Sequence, residues 1–413
     1  VFVANDQAWD KFFKANDELP EANPWKKATS YENLTKSQKK LLLHTSMLNN
    51  AIVMENLSSS AGSKPERGSY LRRYTDVEAV DSVTRVAVTD LPVTYWSADR
   101  QTSEDNAKQT EVDQWSRIRN GGDLHYDSIY MVLDSSLTMM LQFTNEFMAK
   151  KHITDNDFRI ITGQERVTSD IHIYSHRLDS ADIVCENGYL NKTHRPLVPL
   201  ANMAEVIRTN GKTNIFSHML ERFSVPFQNK TVGKLFSRLN ENFEETDTLY
   251  SKRYYSLRSF GGGKLNRNEL GTTFANTGTA LLKFDPGWNG YYPVTASSPQ
   301  EDMGAMFIPN DEQMVKFFSE EGGKTLIQEY TLDPTWNYSL ASEEELIRLY
   351  KDIDQIPLDK IEKIISHCMQ ESFVASVPSK MTTLREETTL EQIYYPEDIN
   401  AIDTVLLACN GAV

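Results

Sequence analysis

One phrase of 13 residues occurs twice in this chain, and the repeat constrains the fold more than any other sequence feature. Residues 1–13 and 306–318 align at a constant offset of 305, and Phe, Asn, Asp, Lys, Phe and Phe coincide in the two copies. In each copy a short apolar run precedes Asn-Asp, which favours a helix N-cap because short polar side chains accept hydrogen bonds from free backbone N–H groups. Apolar residues then recur at helical spacing. Self-similarity of this kind indicates two copies of one strand–cap–helix module.

Two later pairs of segments keep the same order in both halves. Residues 40–45 and 363–368 each place a histidine, His44 and His367, at the end of an apolar helical run. Two Asn-Gly pairs, Asn187-Gly188 and Asn410-Gly411, follow at an offset of 223. Asn-Gly beside apolar runs indicates a tight turn, because both residues accept positive φ. Scaffold residues repeat more often than site residues, so both histidines are predicted to be buried and hydrogen-bonded.

The order of these motifs resembles the fasciclin domain, and most of all the large fasciclin-domain surface lipoproteins of Bacteroidetes. The resemblance rests on three elements that occur twice: Asn5, Asp6, His44, Asn187 and Gly188 in the first half, and Asn310, Asp311, His367, Asn410 and Gly411 in the second. Leu43 and Ser366 stand where the family has a tyrosine before its histidine. The resemblance implies an α+β fold of two fasciclin-like modules, each a small β-wedge or sandwich with several helices, enlarged by insertions.

The resemblance also predicts the division of the chain. Domain 1 is expected at 1–200, with internal insertions and part of its N-terminus missing. Domain 2 is expected at 201–413, with a large insertion at 224–302 and its closing strand missing. A length of 413 residues agrees with two domains. Within domain 1, residues 128–151 are predicted to be mostly an amphipathic helix.

Composition excludes several classes of partner. The net charge of −15 argues against nucleic acid, which the field of an acidic protein repels. No apolar run approaches the length of a membrane span, so membrane attachment is expected only through a lipid anchor outside the sequence. Three cysteines form neither a disulfide framework nor a metal cluster. No cofactor motif is present.

Two groups of residues are candidates for function. An aromatic and glycine-rich stretch within the second insertion is predicted to form a binding surface, because Tyr and Trp are enriched at binding hot spots: Tyr254, Tyr255, Phe260, Trp288, Tyr291 and Tyr292. The alternative is that these aromatic side chains form the insertion's own core. His172 and His176 are four residues apart on a predicted strand and would share a face, but no third metal ligand is signalled.

The resemblance implies a non-enzymatic binding or adhesion protein at the outer-membrane surface, lipid-anchored and extracellular. An accessory lipoprotein of an outer-membrane nutrient-import complex fits this expectation, with protein partners at the cell surface or glycans as ligands. Two alternatives stay open: a surface hydrolase acting on glycans or peptides, and a structural spacer.

Overall fold

A computed structural model gives the fold of most of the chain. It describes residues 1–19, 21, 23–92, 115–119, 127–132, 138–240, 243, 248–257, 281–291, 298–320, 322–331, 338–383, 385 and 402–413. Helices and small mixed sheets are interspersed along these residues. The predicted α+β class is therefore confirmed.

The described elements follow one another closely along the chain. The helices are α1 (Asp6–Asn16), α2 (Lys36–Thr45), α3 (Ser116–Arg119), α4 (Asn145–Lys151), α5 (Asp155–Thr162), α6 (Met203–Thr209), α7 (Asn214–Glu221), α8 (Lys230–Leu239), α9 (Asp311–Glu320), α10 (Gly322–Tyr330), α11 (Glu343–Asp354) and α12 (Leu358–His367). The strands are β1 (Phe2–Val3), β2 (Arg72–Tyr74), β3 (Thr84–Ala87), β4 (Ser128–Val132), β5 (Met139–Phe143), β6 (His172–Ile173), β7 (His176–Cys185), β8 (Gly188–Thr193), β9 (Ser224–Gln228), β10 (Leu249–Tyr254), β11 (Gly304–Met306), β12 (Met369–Gln370), β13 (Leu407–Ala408) and β14 (Gly411–Ala412).

Helix caps explain where the two repeated phrases become helical. The Asn5 side-chain oxygen accepts a hydrogen bond from the Ala8 backbone N–H at 2.9 Å, and the Asn310 oxygen accepts one from Gln313 N–H at 3.0 Å. Each asparagine thereby satisfies a backbone donor that has no partner within the first turn. The predicted caps are confirmed in both copies.

Three sheets organise the strands of the described residues. The first has the order β1-β8-β7-β6-β5-β2, and the third has the order β12-β11-β14-β13. The second, β3-β4-β10-β9, combines two strands from before residue 200 with two from the predicted second insertion, and β4 runs parallel to β10. The main hydrophobic core also extends from Phe2 to Ala412 without interruption at residue 200. Sheet and core therefore both cross the predicted domain boundary.

The described part of 128–151, which excludes residues 133–137, does not form the single long helix that was predicted. It forms β4 and β5 before α4 begins at Asn145. All five residues of β5 are buried, so the strand is covered on both faces. A short and mainly apolar run such as β5, in which Gln142 is the one polar residue, fits a fully buried strand as well as a helix, so its sequence pattern does not separate the two.

The first and third sheets share one pairing register. Gly304 pairs in parallel with Gly411 (411 − 304 = 107), and Phe2 pairs in parallel with Asn191 (191 − 2 = 189). The separation is 82 residues shorter in the second half than in the first (189 − 107 = 82). The offset between the two Asn-Gly pairs is shorter than the offset between the two repeated phrases by the same number (305 − 223 = 82). The repeated first strand therefore meets the strand that follows its own Asn-Gly pair at equivalent positions in both halves.

Candidate functional site

The described members of the predicted aromatic surface lie inside the protein. Tyr254, Tyr255, Trp288 and Tyr291 are between 1% and 5% exposed. Phe260 and Tyr292 lie outside the described residues. The prediction of an exposed aromatic surface is therefore wrong for these four side chains. Tyr254, Tyr255 and Tyr291 belong to the main hydrophobic core and not to a separate core of the insertion.

Polar partners explain how these aromatic side chains are accommodated in the core. The Tyr254 hydroxyl donates to Glu221 Oε1 at 3.0 Å, and the Tyr291 hydroxyl donates to the Glu371 carbonyl at 2.6 Å. Burial, and next the negative charge of Glu221, raise the pKa of Tyr254 well above its ordinary value. A buried hydroxyl with a partner avoids the penalty of an unsatisfied polar group, so these contacts are those of a stable interior.

His172 and His176 do not share a face. They lie on neighbouring antiparallel strands, where His172 pairs with Arg177 and Ile173 pairs with His176. Adjacent residues of a strand point to opposite faces, so the two imidazoles diverge. Burial, followed by the nearby positive charge of Arg166, lowers the pKa of His172 to about 4. The prediction of a shared face is wrong, and the described part of the chain contains no group of three or more His, Cys, Asp or Glu side chains placed to hold a metal.

The two repeated histidines have different environments. His44 Nδ1 contacts the carboxylate of Asp81, whose side chain is fully buried, while 23% of the His44 side chain is exposed. The His367 side chain is exposed, and its ring Nδ1 contacts the Lys363 carbonyl of the same helix. The expectation of a buried histidine is therefore wrong for His367, and Asp81 is a partner that the sequence did not indicate.

A one-residue shift in register accounts for this difference. Phe2 N–H donates to the carbonyl of Ser46, the C-cap of α2, and Phe307 N–H donates to the carbonyl of Cys368, the C-cap of α12, both at 2.8 Å. His44 is two residues before its cap and His367 is one residue before its cap. One residue rotates a side chain by about 100° around a helix, so the two histidines point in different directions.

The Asn-Gly hairpin of the second half is closed by other parts of the chain. Its turn residues, Cys409 and Asn410, are at most 1% exposed. Asn410 Oδ1 accepts the Met203 backbone N–H at 2.9 Å, and the Asn410 side-chain amide donates to the Pro286 carbonyl at 2.8 Å. A Cβ added at Gly411 would lie only 2.2 Å from Met203 Sδ. The start of α6 therefore sits directly on this hairpin.

The equivalent hairpin of the first half is open. Its strands pair in the same way: Cys185 with Gly188 in β7–β8, and Ala408 with Gly411 in β13–β14. Yet Cys185, Glu186 and Asn187 are exposed, and a Cβ added at Gly188 would meet no atom within 4 Å. We call residues 183–190 the hairpin tip. In both hairpins Asn is the second turn residue and Gly begins the next strand, so the turn lies one residue earlier than predicted.

Apolar side chains are exposed on both faces of the hairpin tip. Val184 is 79% exposed and Ile183, on the opposite face, is 38% exposed. Tyr189 and Leu190 in the facing strand are half-buried. The sequence carried no signal for this surface, because apolar residues beside an Asn-Gly pair are equally typical of a buried hairpin.

Two further properties of the described residues bear on the site. No described helix combines the length and apolar character required to cross a bilayer. One face of α11 carries a shallow open depression, lined by Glu343, Glu344, Ile347, Arg348 and Lys351. Its charged lining belongs to a single helix surface, so the hairpin tip is the stronger candidate for a functional site.

Comparison of the chain with protein-family models, with curated proteins and with solved structures finds no match in any of the three.

Proposed function

We propose that this protein is a non-enzymatic binding or adhesion protein of the cell surface, built from two fasciclin-like modules. A lipid anchor would hold it at the outer membrane. In that position it would serve as an accessory lipoprotein of a nutrient-import complex, with a protein partner at the same surface.

The common pairing register supports the two-module part of the proposal. Each half contributes an Asn-capped helix after its first strand, and that strand pairs in parallel with the strand following an Asn-Gly pair. In each half the same first strand also bonds to the C-cap of a helix that ends near a histidine. Agreement in order, register and hydrogen bonding is expected when one frame has been used twice.

One exposed surface supports binding: apolar side chains at the hairpin tip face solvent in the described part of the chain. The tip presents Val184 and Ile183 to solvent on opposite faces of a two-stranded ribbon. Val184 is the most exposed large apolar side chain of the described residues, at 79%, so covering it with a partner would contribute favourably to association.

Affinity capture tests the proposal. The tagged full-length protein is recovered from intact cell envelope, and the proteins that co-purify are identified. A stoichiometric membrane partner is expected. Recovery of the protein alone would refute a binding function.

A matched pair of variants assigns the interaction to the hairpin tip. Val184→Asp places a charge on the tip, and Val167→Asp places the same charge at a valine that is 66% exposed elsewhere. We expect at least a tenfold loss of partner recovery for the first variant and none for the second. Equal recovery with both variants would favour a structural spacer or another surface.

A further inference from the structure

One face of α11 is built symmetrically around an exposed apolar side chain. Ile347 is 43% exposed, and the exposed residues Glu343 and Lys351 lie four positions before it and four positions after it. Residues four apart lie one above the other on a helix, so an acid, an isoleucine and a base form a single exposed row. We call these three residues the α11 row. Its opposite charges lie at equal distances from Ile347, about 6 Å each along the helix axis.

The two charges of the α11 row are not used within the chain. Glu344 and Arg348 line the same depression and pair with each other along the helix, with Arg348 Nη2 3.6 Å from Glu344 Oε1. Glu343 and Lys351 are about 12 Å apart along the axis, and neither has an ion-pair partner among the residues that the structure describes. The acid in the first turn and the base in the last turn complement the helix dipole. Both charges are also available to a second molecule.

The α11 row is complementary to a second copy of itself. When two rows meet antiparallel across a two-fold axis at Ile347, Glu343 of each copy faces Lys351 of the other, because the two positions are equidistant from the axis (343 + 351 = 2 × 347). The two Ile347 side chains then cover each other. A parallel pair would instead place like charges opposite each other, which suppresses that arrangement. A self-complementary patch is what a two-fold contact between identical chains requires, so the charges select both the occupant and its direction.

We propose that α11 is a self-association surface, on which the α11 row of a second copy docks antiparallel across a two-fold axis at Ile347. One pair of helices buries less area than the roughly 1,600 Å² of a standard interface, so the contact is weak and reversible. Its two exposed ion pairs determine the register and direction more than the strength, and the aliphatic stem of Lys351 adds cover to Ile347. This contact uses no residue of the hairpin tip and does not depend on the binding function proposed above.

Disulfide trapping captures a contact of this kind. Ile347→Cys is made in the full chain that also carries Cys185→Ser, so that the introduced thiols of two copies meet at the two-fold axis. Val167→Cys in the same chain is the matched control, because Val167 is 66% exposed elsewhere. Cys409 is buried, and burial raises the pKa of the Cys368 thiol to about 12, so neither competes. The measurement is the initial rate of covalent dimer formation under a mild oxidant at equal protein concentration. The Ile347→Cys chain should react about tenfold faster than the control, since docking raises the effective concentration of its thiols.

Charge exchange between two chains makes the result specific. In the Ile347→Cys chain, Glu343→Lys creates two contacts between bases, and Lys351→Glu creates two contacts between acids. Each change alone should slow trapping about fivefold, because two weak attractions become repulsions. An equimolar mixture of the two variants again pairs opposite charges at both contacts, so the mixed dimer, identified by its mass, should form within about twofold of the parent rate. Mixing cannot repair a folding defect in either variant, which separates a contact between copies from a role in the stability of α11.

Two outcomes would overturn the inference. Equal trapping rates for Ile347→Cys and Val167→Cys would show that α11 does not meet a second copy. A mixed dimer that forms no faster than either charge variant alone would show that Glu343 and Lys351 do not face each other, so that another chain or another register occupies this face. If trapping behaves as expected while envelope capture recovers the protein alone, the inference stands and the proposed function fails.

Discussion

Replacement of Arg72 by methionine should strongly destabilise the whole protein. Arg72 is 0% exposed, and its guanidinium donates hydrogen bonds to five backbone carbonyls that all lie beyond residue 288. The distances include 2.9 Å to Cys409 and 3.0 Å to Asp302. A single side chain of β2 therefore ties the first sheet to the closed hairpin and to the segment that leads into β11.

The magnitude follows from two opposing terms. The two terminal nitrogens of Arg72 carry four N–H groups, so two of the five carbonyls share one donor. At about 1.5 kcal/mol each at the low end, four hydrogen bonds to a charged group contribute about 6 kcal/mol. Burial lowers the pKa of the Arg72 guanidinium from 12.5 to about 10, which corresponds to an unfavourable free energy of about 3 kcal/mol. The difference predicts that Arg72→Met lowers the free energy of unfolding by about 3 kcal/mol, at the upper end of the usual range for a single substitution.

Urea unfolding followed by circular dichroism measures this free energy. Arg177→Met is the matched control, because the Arg177 side chain is 56% exposed and its ion pair with Asp179 is long, at 3.6 Å. The control should change the free energy of unfolding by less than about 0.5 kcal/mol. A loss below about 1 kcal/mol for Arg72→Met would refute the reasoning, since the five carbonyls would then not depend on the guanidinium.

Three further predictions concern other parts of the structure. Gly411→Ala should destabilise the protein by about 3 kcal/mol, because the new Cβ would lie 2.6 Å from the Gly304 carbonyl oxygen. Gly188→Ala should destabilise it by only about 1 kcal/mol, through backbone strain at φ +156°. Equal effects of the two variants in thermal melts would contradict an open first hairpin. Because the pKa of His172 is lowered to about 4, its contribution to stability is complete above pH 6.5 and is lost as the pH falls towards 4. His172→Leu should therefore reduce the loss of unfolding free energy between pH 7 and pH 5 by about 2 kcal/mol. An unchanged loss in urea titrations would show that the folded protein protonates this imidazole as readily as the unfolded chain does. A fragment of residues 201–413 should show no cooperative thermal transition, because in it β10 lacks its parallel partner β4 and the closed hairpin lacks Arg72. A sharp calorimetric peak from the fragment would show that residue 200 is a true domain boundary.

Local sequence signals predicted the short-range features of the fold well. Asn5 and Asn310 cap helices because an N-cap depends on a few adjacent residues. The Asn-Gly pairs mark hairpins in both halves for the same reason, although each turn lies one residue earlier than expected. The repeat offsets also carried long-range information, since their difference of 82 residues reappears in the pairing of Phe2 with Asn191 and of Gly304 with Gly411.

Predictions failed where burial depends on segments distant in sequence. The prediction of a helix is wrong for the strand β5, because a short, mainly apolar run has no period that separates a strand from a helix. Tyr254 and Tyr291 were expected on the surface, and the structure buries both in the main core, among residues from both ends of the chain. Arg72 and Asp81 gave no signal at all, since their roles depend on partners that only the folded chain brings near.

The sequence by itself determined the repeated frame of strand, capped helix and hairpin, because each part is specified by neighbouring residues and by a fixed spacing. Only the tertiary structure decided which copy of the hairpin is covered. Asn187-Gly188 and Asn410-Gly411 are the same in sequence, but α6 and the carbonyl of Pro286 close one of them and no described segment closes the other. Burial is a property of what lies opposite a residue in space, and two identical motifs can therefore differ in exposure.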